Sequence, residues 1–554
     1  MKREKWAAFL LSGALVVSMI GTTALADSSM SGSEAVSEIV SEEAEDASGE
    51  NGTETAGEET SSAENSADSG SEDGNSEAAA EESAEDENSS GENAETGDSF
   101  EEGENSEVQE EFASRSGAGG SSLNILSTEE ESGEDDLLTV LSEEETGAET
   151  VIDAEGGDLA SGSYVLSGDV SLITDLTVPS DAVVTIDLNG HTLTGTGSGS
   201  IITVSGDLTI VDSTAGDPVS GSGSKSLAGS TAENGDGTYT TYYSVTDYDS
   251  SGGLSVTYYS YTSGAVTGGS AEAGGGVCIR EGGTFTLESG TITGNTAVYA
   301  GTVMEGEEAP AYEGGGVYGE AGAVFIMKGG AVSGNTADEG AGVDVQGSAS
   351  ASAGAAFSMS GGVIAGNTAL DDGGGARIDL CSFEMTGGII ADNTAEGNYG
   401  GGVAVIAQGS MALDGGIITD NTAYGTGSSA HYGGGIDLDR SSLTMNSGLI
   451  TGNYASSAGG GVRLYNSSTF TMSGGTIAGN TATNYGGGVA LNNSNADTAS
   501  AFEMTGGLIA DNEAADATIG CGGGVYVETG SFEMTGGIIR DNTAHATFYD
   551  TYLY

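Results

Sequence analysis

Residues 522–544 read Gly-Gly-Gly-Val-Tyr-Val-Glu-Thr-Gly-Ser-Phe-Glu-Met-Thr-Gly-Gly-Ile-Ile-Arg-Asp-Asn-Thr-Ala. Apolar residues stand at Val525 and Val527, at Phe532 and Met534, and at Ile539. In the first two runs they recur at every second position, the period that turns one face of a strand inward. No segment between the glycines reaches the ten or so residues a helix needs. The stretch is three short strands joined by three turns.

The same pattern recurs in nine copies from Gly274 onward. Each copy places an asparagine eight residues after a Leu or Met; these are Asn295, Asn335, Asn367, Asn393, Asn421, Asn453, Asn480, Asn512 and Asn542. A glycine three after the Leu or Met, a branched aliphatic three before the Asn and an alanine two after it are equally regular, as in Gly388, Ile390 and Ala395. Successive asparagines lie 26 to 40 residues apart, with insertions gathered at 298–313 and 424–432 or at 346–356 and 492–501. A unit of about 26 residues with two variable corners and one rigid corner is one coil of a three-sided solenoid. Stacking at about 4.8 Å would line up columns of Phe, Met, Ile and Ala inside, and nine coils would extend roughly 43 Å. The Asn column is expected to be structural: Asn tolerates a left-handed turn, and its amide can bond to the Asn of the next coil.

The Gly-Gly-Gly-Val openings and Ile-x-x-Asn-x-Ala closings over roughly 274–544 resemble the pectin-lyase-like right-handed parallel β-helix superfamily. Their repeats are similar to those of bacterial polymorphic membrane proteins. The resemblance implies an all-β solenoid, surface location, and either an adhesin or a polysaccharide lyase or hydrolase. That family usually carries Phe where Ile390 and Ile539 stand here, and it ends in an outer-membrane barrel, whereas this chain stops at Tyr554 after a repeat. Autotransport is therefore not expected.

Outside the repeats, 1–26 reads as a signal peptide: Lys2, Arg3 and Lys5, an apolar stretch from Ala7 to Ile20, then Ala24-Leu25-Ala26. Residues 27–138 are expected to be a disordered acidic Ser/Glu-rich stalk, too poor in apolar side chains to offset the entropy of ordering. The β-branched runs in 139–212 read as a cap and first coils, 213–272 as a Gly/Ser/Tyr-rich insertion with the character of a hairpin, and 273–554 as the repeat β-helix.

The chain holds 85 acidic and 11 basic residues, a formal net charge of −74. That excludes nucleic acid and anionic membrane as electrostatic partners, and no segment after the signal is expected to insert in a membrane. A secreted or cell-surface location follows from the signal, with carbohydrate or another surface ligand as the expected partner. No cofactor or metal is expected, because the calcium-binding Gly-Gly-x-Gly-x-Asp series does not recur. Cys278, Cys381 and Cys521 lie far apart in sequence and read as packing residues.

An elimination needs a base, and the repeats offer only Arg280, Lys328, Arg377, Arg440, Arg463 and Arg540, with no visible cluster. Asp371-Asp372 is the one adjacent aspartate pair in the repeats, and Asp392, Asp420, Asp511 and Asp541 alternate with Gly before the Asn; both patterns read as turn chemistry. Tyr399, Tyr432 and Tyr485 each precede a Gly-Gly opening, with Tyr312, Tyr424 and Tyr454 assigned to the same corner. Such rings either pack on each other or dock neutral sugar on their faces. The leading reading is a non-enzymatic, adhesin-like or structural β-helix with a possible glycan-binding edge at these tyrosines; the alternative is a polysaccharide lyase or glycoside hydrolase, which requires a groove where Arg or Lys meets carboxylates of neighbouring coils.

Overall fold

The structure, a computed structural model, describes residues 152–546 apart from 153–154, 196–197, 250, 298–311, 349–355, 426–430 and 494. These residues lie in one compact unit, Ser132–Tyr554. The expected signal peptide and acidic stalk lie outside the described residues.

The chain is a parallel β-helix. Among the described residues its coils build three sheets of twelve parallel strands and a fourth of ten. The first sheet takes the strand after the glycine opening (Val525–Val527 in the last coil), the second the Phe-x-Met strand (Gly530–Met534), and the third the branched pair (Ile538–Arg540). The Thr-Ala segment after the asparagine, read as part of a turn, forms the fourth ladder of two-residue strands such as Thr394–Ala395. Coils before the repeats join in the same register, with Ile202 opposite Val277 and Leu208 opposite Phe285. Twelve strands at about 4.8 Å give a stack on the order of 50 Å long.

Like residues stack because each coil repeats the one below. Phe285, Phe325, Phe357 and Phe383 form a continuous pile with ring centroids 5.2, 4.9 and 4.4 Å apart. Met385, Ile390 and Ala395 are all buried. The regular glycine three after the Met has two causes at Gly388: its φ is +88°, and a Cβ there would fall 2.6 Å from Met359 Cε of the coil below.

The asparagine column is a hydrogen-bonded ladder. The backbone N and the side-chain Nδ2 of Asn367 both donate to Oδ1 of Asn393, at 3.0 and 2.9 Å. Nδ2 of Asn393 also donates to the carbonyl of Ile364 at 2.9 Å. The same pair of bonds links all nine asparagines from Asn295 to Asn542. The left-handed residue of this turn is not the asparagine. It is the residue before, Gly294, Gly334, Gly366, Asp392, Asp420, Gly452, Gly479, Asp511 or Asp541, each with φ between +53° and +67°. The asparagine keeps ordinary backbone angles because its own N–H must point along the stack at the next Oδ1.

Within 213–272 the chain leaves the coil and makes a four-stranded antiparallel sheet of Val219–Ser220, Ser230–Glu233, Tyr239–Tyr248 and Leu254–Ser263. This strap lies on the outer face of the third sheet. Tyr243, Val245 and Tyr261 pack there against Ala331, Val363, Ala365 and Ala391.

Candidate functional site: the outer face of the first sheet

Two columns compose this face. One is the corner residue just before the glycine opening, where Glu313, Glu339, Tyr399, Tyr432, Ala458, Tyr485 and Cys521 follow one another along the stack, with Asp372 between Glu339 and Tyr399. The other is the middle residue of the strand, five positions later: Cys278, Tyr318, Asp344, Arg377, Ala404, Asp437, Arg463, Ala490 and Tyr526. Both point away from the core, and their sizes compensate. Tyr399 and Tyr485 stand over Ala404 and Ala490, whereas the small corner Ala458 leaves room for Arg463.

Arg377 and Arg463 each follow the first apolar residue of their strand, which places them outside, in coils that are not neighbours. They do point outward, but corner side chains cover them, and each gathers its own partners. Arg377 pairs with Glu339 and Asp344 of the preceding coil at 2.9 and 3.2 Å and with Asp379 at 3.2 Å. Asp344 is fully buried, and burial pushes its carboxyl up to about 8 despite the arginine. One cation facing several carboxylates cannot neutralise them all, so a proton retained near neutrality is the physically expected outcome. Arg463 bonds Asp437 at 3.0 Å, and its guanidinium lies 4.0, 4.4 and 4.9 Å from the ring centres of Tyr432, Tyr465 and Tyr399. Burial raises the Asp437 carboxyl as well.

Tyr399, Tyr432 and Tyr485 share the corner column. Tyr399 and Tyr432 stack at 6.0 Å with Arg463 over both, and Tyr485 stacks on Tyr526 at 4.7 Å. Much of their ring faces is therefore used within the protein. The other corner tyrosines are placed differently: Tyr454 lies in the fourth ladder, bonded to Thr483, and Tyr312 packs on the alanine column. Cys278 and Cys381 are buried as expected, but Cys521 is exposed. Asp372 accepts from the Tyr399 backbone at 3.2 Å, and burial together with Asp371 raises its carboxyl.

Arg280, Lys328, Arg377, Arg440, Arg463 and Arg540 are each ion-paired with a carboxylate.

Toward the first coils both columns shrink to small side chains, and the face opens into a cleft of about 450 Å³. Thr203 and Cys278 line it together with Ser198, Ser200 and Ser270, while Asp175, Glu272 and Arg280 bring charge to it. Arg280 is held by Glu320 at 2.6 Å. Partial burial raises the Asp175 carboxyl, and burial pushes the Cys278 thiol up to about 11, keeping it neutral. Sequence reasoning missed Asp175, Glu272, Glu339, Asp344 and Asp437. Reading the middle strand position down the copies, beside the residue five before it, would have found the last three; the cleft residues come from separate coils and carry no common sequence signal.

No protein-family model, curated protein or solved structure matches this chain.

Proposed function

We propose that the protein is an exported, cell-surface or secreted β-helix that binds neutral glycan on the outer face of the first sheet without chemical conversion. The observation that carries this reading is the hydroxyl- and carboxylate-lined cleft at Thr203 and Cys278. Sugar hydroxyls donate to carboxylates such as Asp175 and Glu272 and accept from Ser, Thr and Arg side chains, so the lining suits a polyol. A net charge of −74 disfavours acidic polymers at long range. Export rests on residues 1–26, and recovery of secreted protein beginning at Asp27 would bear it out.

A second reading is favoured by one feature. Asp175 and Glu272 line a single cleft, and the raised Asp175 carboxyl could serve as a general acid, with Glu272 as its partner in glycoside hydrolysis.

Both readings meet one experiment on the full chain: an array of neutral, amino and acidic glycans, with a reducing-end assay on every glycan retained. Neutral glycans should bind and stay intact, and Asp175→Asn with Glu272→Gln should weaken binding about tenfold or more at unchanged melting temperature, the loss of roughly 1.4 kcal/mol of hydrogen bonding. New reducing ends that vanish in Asp175→Asn would establish the hydrolase instead. Retention of no glycan at all sinks both. Replacing Tyr399, Tyr432 and Tyr485 by Ser tests the corner edge; loss of binding at unchanged stability would extend the site there, whereas a lower melting temperature alone assigns the rings to packing.

A further inference from the structure

The left-handed turn position that precedes each ladder asparagine runs Gly294, Gly334, Gly366, Asp392, Asp420, Gly452, Gly479, Asp511, Asp541. Turn geometry accepts Gly or Asp at all nine, so it does not explain which residue stands where. The strap does. At Gly366 a Cβ would fall 2.2 Å from the carbonyl oxygen of Gly229, and at Gly479 it would meet the Leu254 side chain at 2.6 Å. At three of the four aspartates the strap offers donors. Asp392 accepts the Ser244 backbone N–H at 2.6 Å and its hydroxyl at 2.7 Å. Asp420 accepts the Thr246 N–H at 3.1 Å and its hydroxyl at 2.7 Å, and Asp511 accepts the Tyr248 hydroxyl at 2.5 Å. The alternate residues of one strap strand, 244, 246 and 248, thus read the third-sheet edge from Asp392 to Asp511.

Asp392 and Asp420 also share one hydroxyl. Ser244 Oγ lies 2.7 Å from Oδ1 of Asp392 and 3.1 Å from Oδ2 of Asp420. Asp420 also accepts from the Thr246 N–H and the Thr246 and Thr419 hydroxyls, and Asp392 from the Ser244 N–H, so neither lacks a donor; but two buried carboxyls that bracket one hydroxyl repel each other when both are charged, and one retained proton relieves that repulsion. Among the described residues neither acid has an ion-pair partner. The groups that face them are each other and Thr419 from the solenoid, and Ser244, Thr246 and the buried phenol of Tyr243 from the strap.

We propose that residues 219–263 are a detachable clasp on the third sheet, latched by a proton held at the Asp392, Ser244 and Asp420 cluster, and that the clasp loosens as pH rises from acid to neutral. Burial pushes the Asp392 carboxyl up to about 7 and raises that of Asp420. A carboxyl raised in the docked form and near 4 once released leaves docking at full strength below about pH 4 and weakens it progressively as pH climbs to the docked value, so the window runs from about pH 4 to about 7. Release would uncover Ala331, Val363, Ala365 and Ala391, an apolar strip on an otherwise acidic surface.

Hydrogen–deuterium exchange of the full chain at pH 5.5 and 8.5, expressed as protection factors, tests the latch. Strap amides 239–248 should lose about tenfold or more of their protection at the higher pH, while the asparagine-ladder amides hold theirs. The Asp392→Asn, Asp420→Asn double variant keeps side chains that tolerate the left-handed turn and can bond Ser244, but none that titrates; its strap should be equally protected at both pH values. Equal protection in the parent at both pH values overturns the proposal, as does an undiminished pH step in the double variant. Should the double variant fold poorly, Ser244→Ala takes its place: a smaller pH step supports the proton held at the cluster, and an unchanged one refutes it.

Discussion

At the scale of single residues, this fold is held by buried polar groups that repeat. Each ladder asparagine satisfies two donors of its neighbour's backbone and side chain, so the column is legible as a fixed spacing in the sequence and functions as a zip in the structure. Arg463 is the contrasting case. It follows Gly-Gly-Gly-Val at the middle of its strand, whereas Arg440 comes just after its strand; Arg463 is 2% exposed against Asp437 at 0%, while Arg440 lies on the surface. Removing one partner of a buried ion pair leaves the other charge uncompensated, whereas replacing both with apolar groups need not. Arg463→Leu should therefore cost about 3–5 kcal/mol in urea unfolding, and Asp437→Leu with Arg463→Leu should recover most of that loss. If the double variant were as unstable as the single one, the cost would lie in lost packing against Tyr432 and Tyr465 rather than in charge.

At the scale of elements, strands and strap obey different logic. The strands follow from a period of two and a repeat, and both can be read directly. The strap interrupts the repeat with Tyr-rich strands at Tyr239–Tyr248 and Leu254–Ser263, and a sequence can announce such an interruption without saying where it docks. Gly366 and Gly294 separate the two effects. Both have φ of +64°, but at Gly294 a Cβ would meet only Thr267 Oγ1, at 3.0 Å, while at Gly366 it would strike the strap backbone. Alanine at either site pays about 1–2 kcal/mol for the left-handed conformation. Gly366→Ala should cost roughly a further 1–3 kcal/mol or displace the strap, measured as the difference between the two variants' unfolding midpoints. Equal losses would mean that the strap yields freely at this point.

At the scale of the whole molecule, charge sets the response to solvent. Asp344 is pushed up to about 8 and Asp392 to about 7, and burial raises Asp372 and Asp437. Unfolded aspartates titrate near 4, so between about pH 4 and 8 the unfolded chain releases protons that the folded chain keeps. Stability must then fall as pH rises across that window, and mutual repulsion within a chain of net charge −74 acts in the same direction. A thermal melt at pH 8.5 should lie on the order of 5 °C or more below one at pH 5.5, and added salt should restore part of the difference at pH 8.5 by screening. A melting temperature that rose with pH would show that the buried carboxyls ionise freely.

The sequence by itself determined the parallel β-helix, because a solenoid coil contacts only its neighbours and like residues must stack on like, so interior columns appear as spacing along the chain. It also determined the asparagine column and the two variable corners. Only the tertiary structure decided what happens on the outer faces. There, residues from different coils meet through corners of unequal length, so the pairing of Arg377 with Glu339, of Arg463 with three tyrosine rings, and of Ser244 with Asp392 and Asp420 has no fixed separation in sequence. Local pattern reports which face a side chain takes; what covers that face is settled by the stacking distance between coils and by the path of the strap across them.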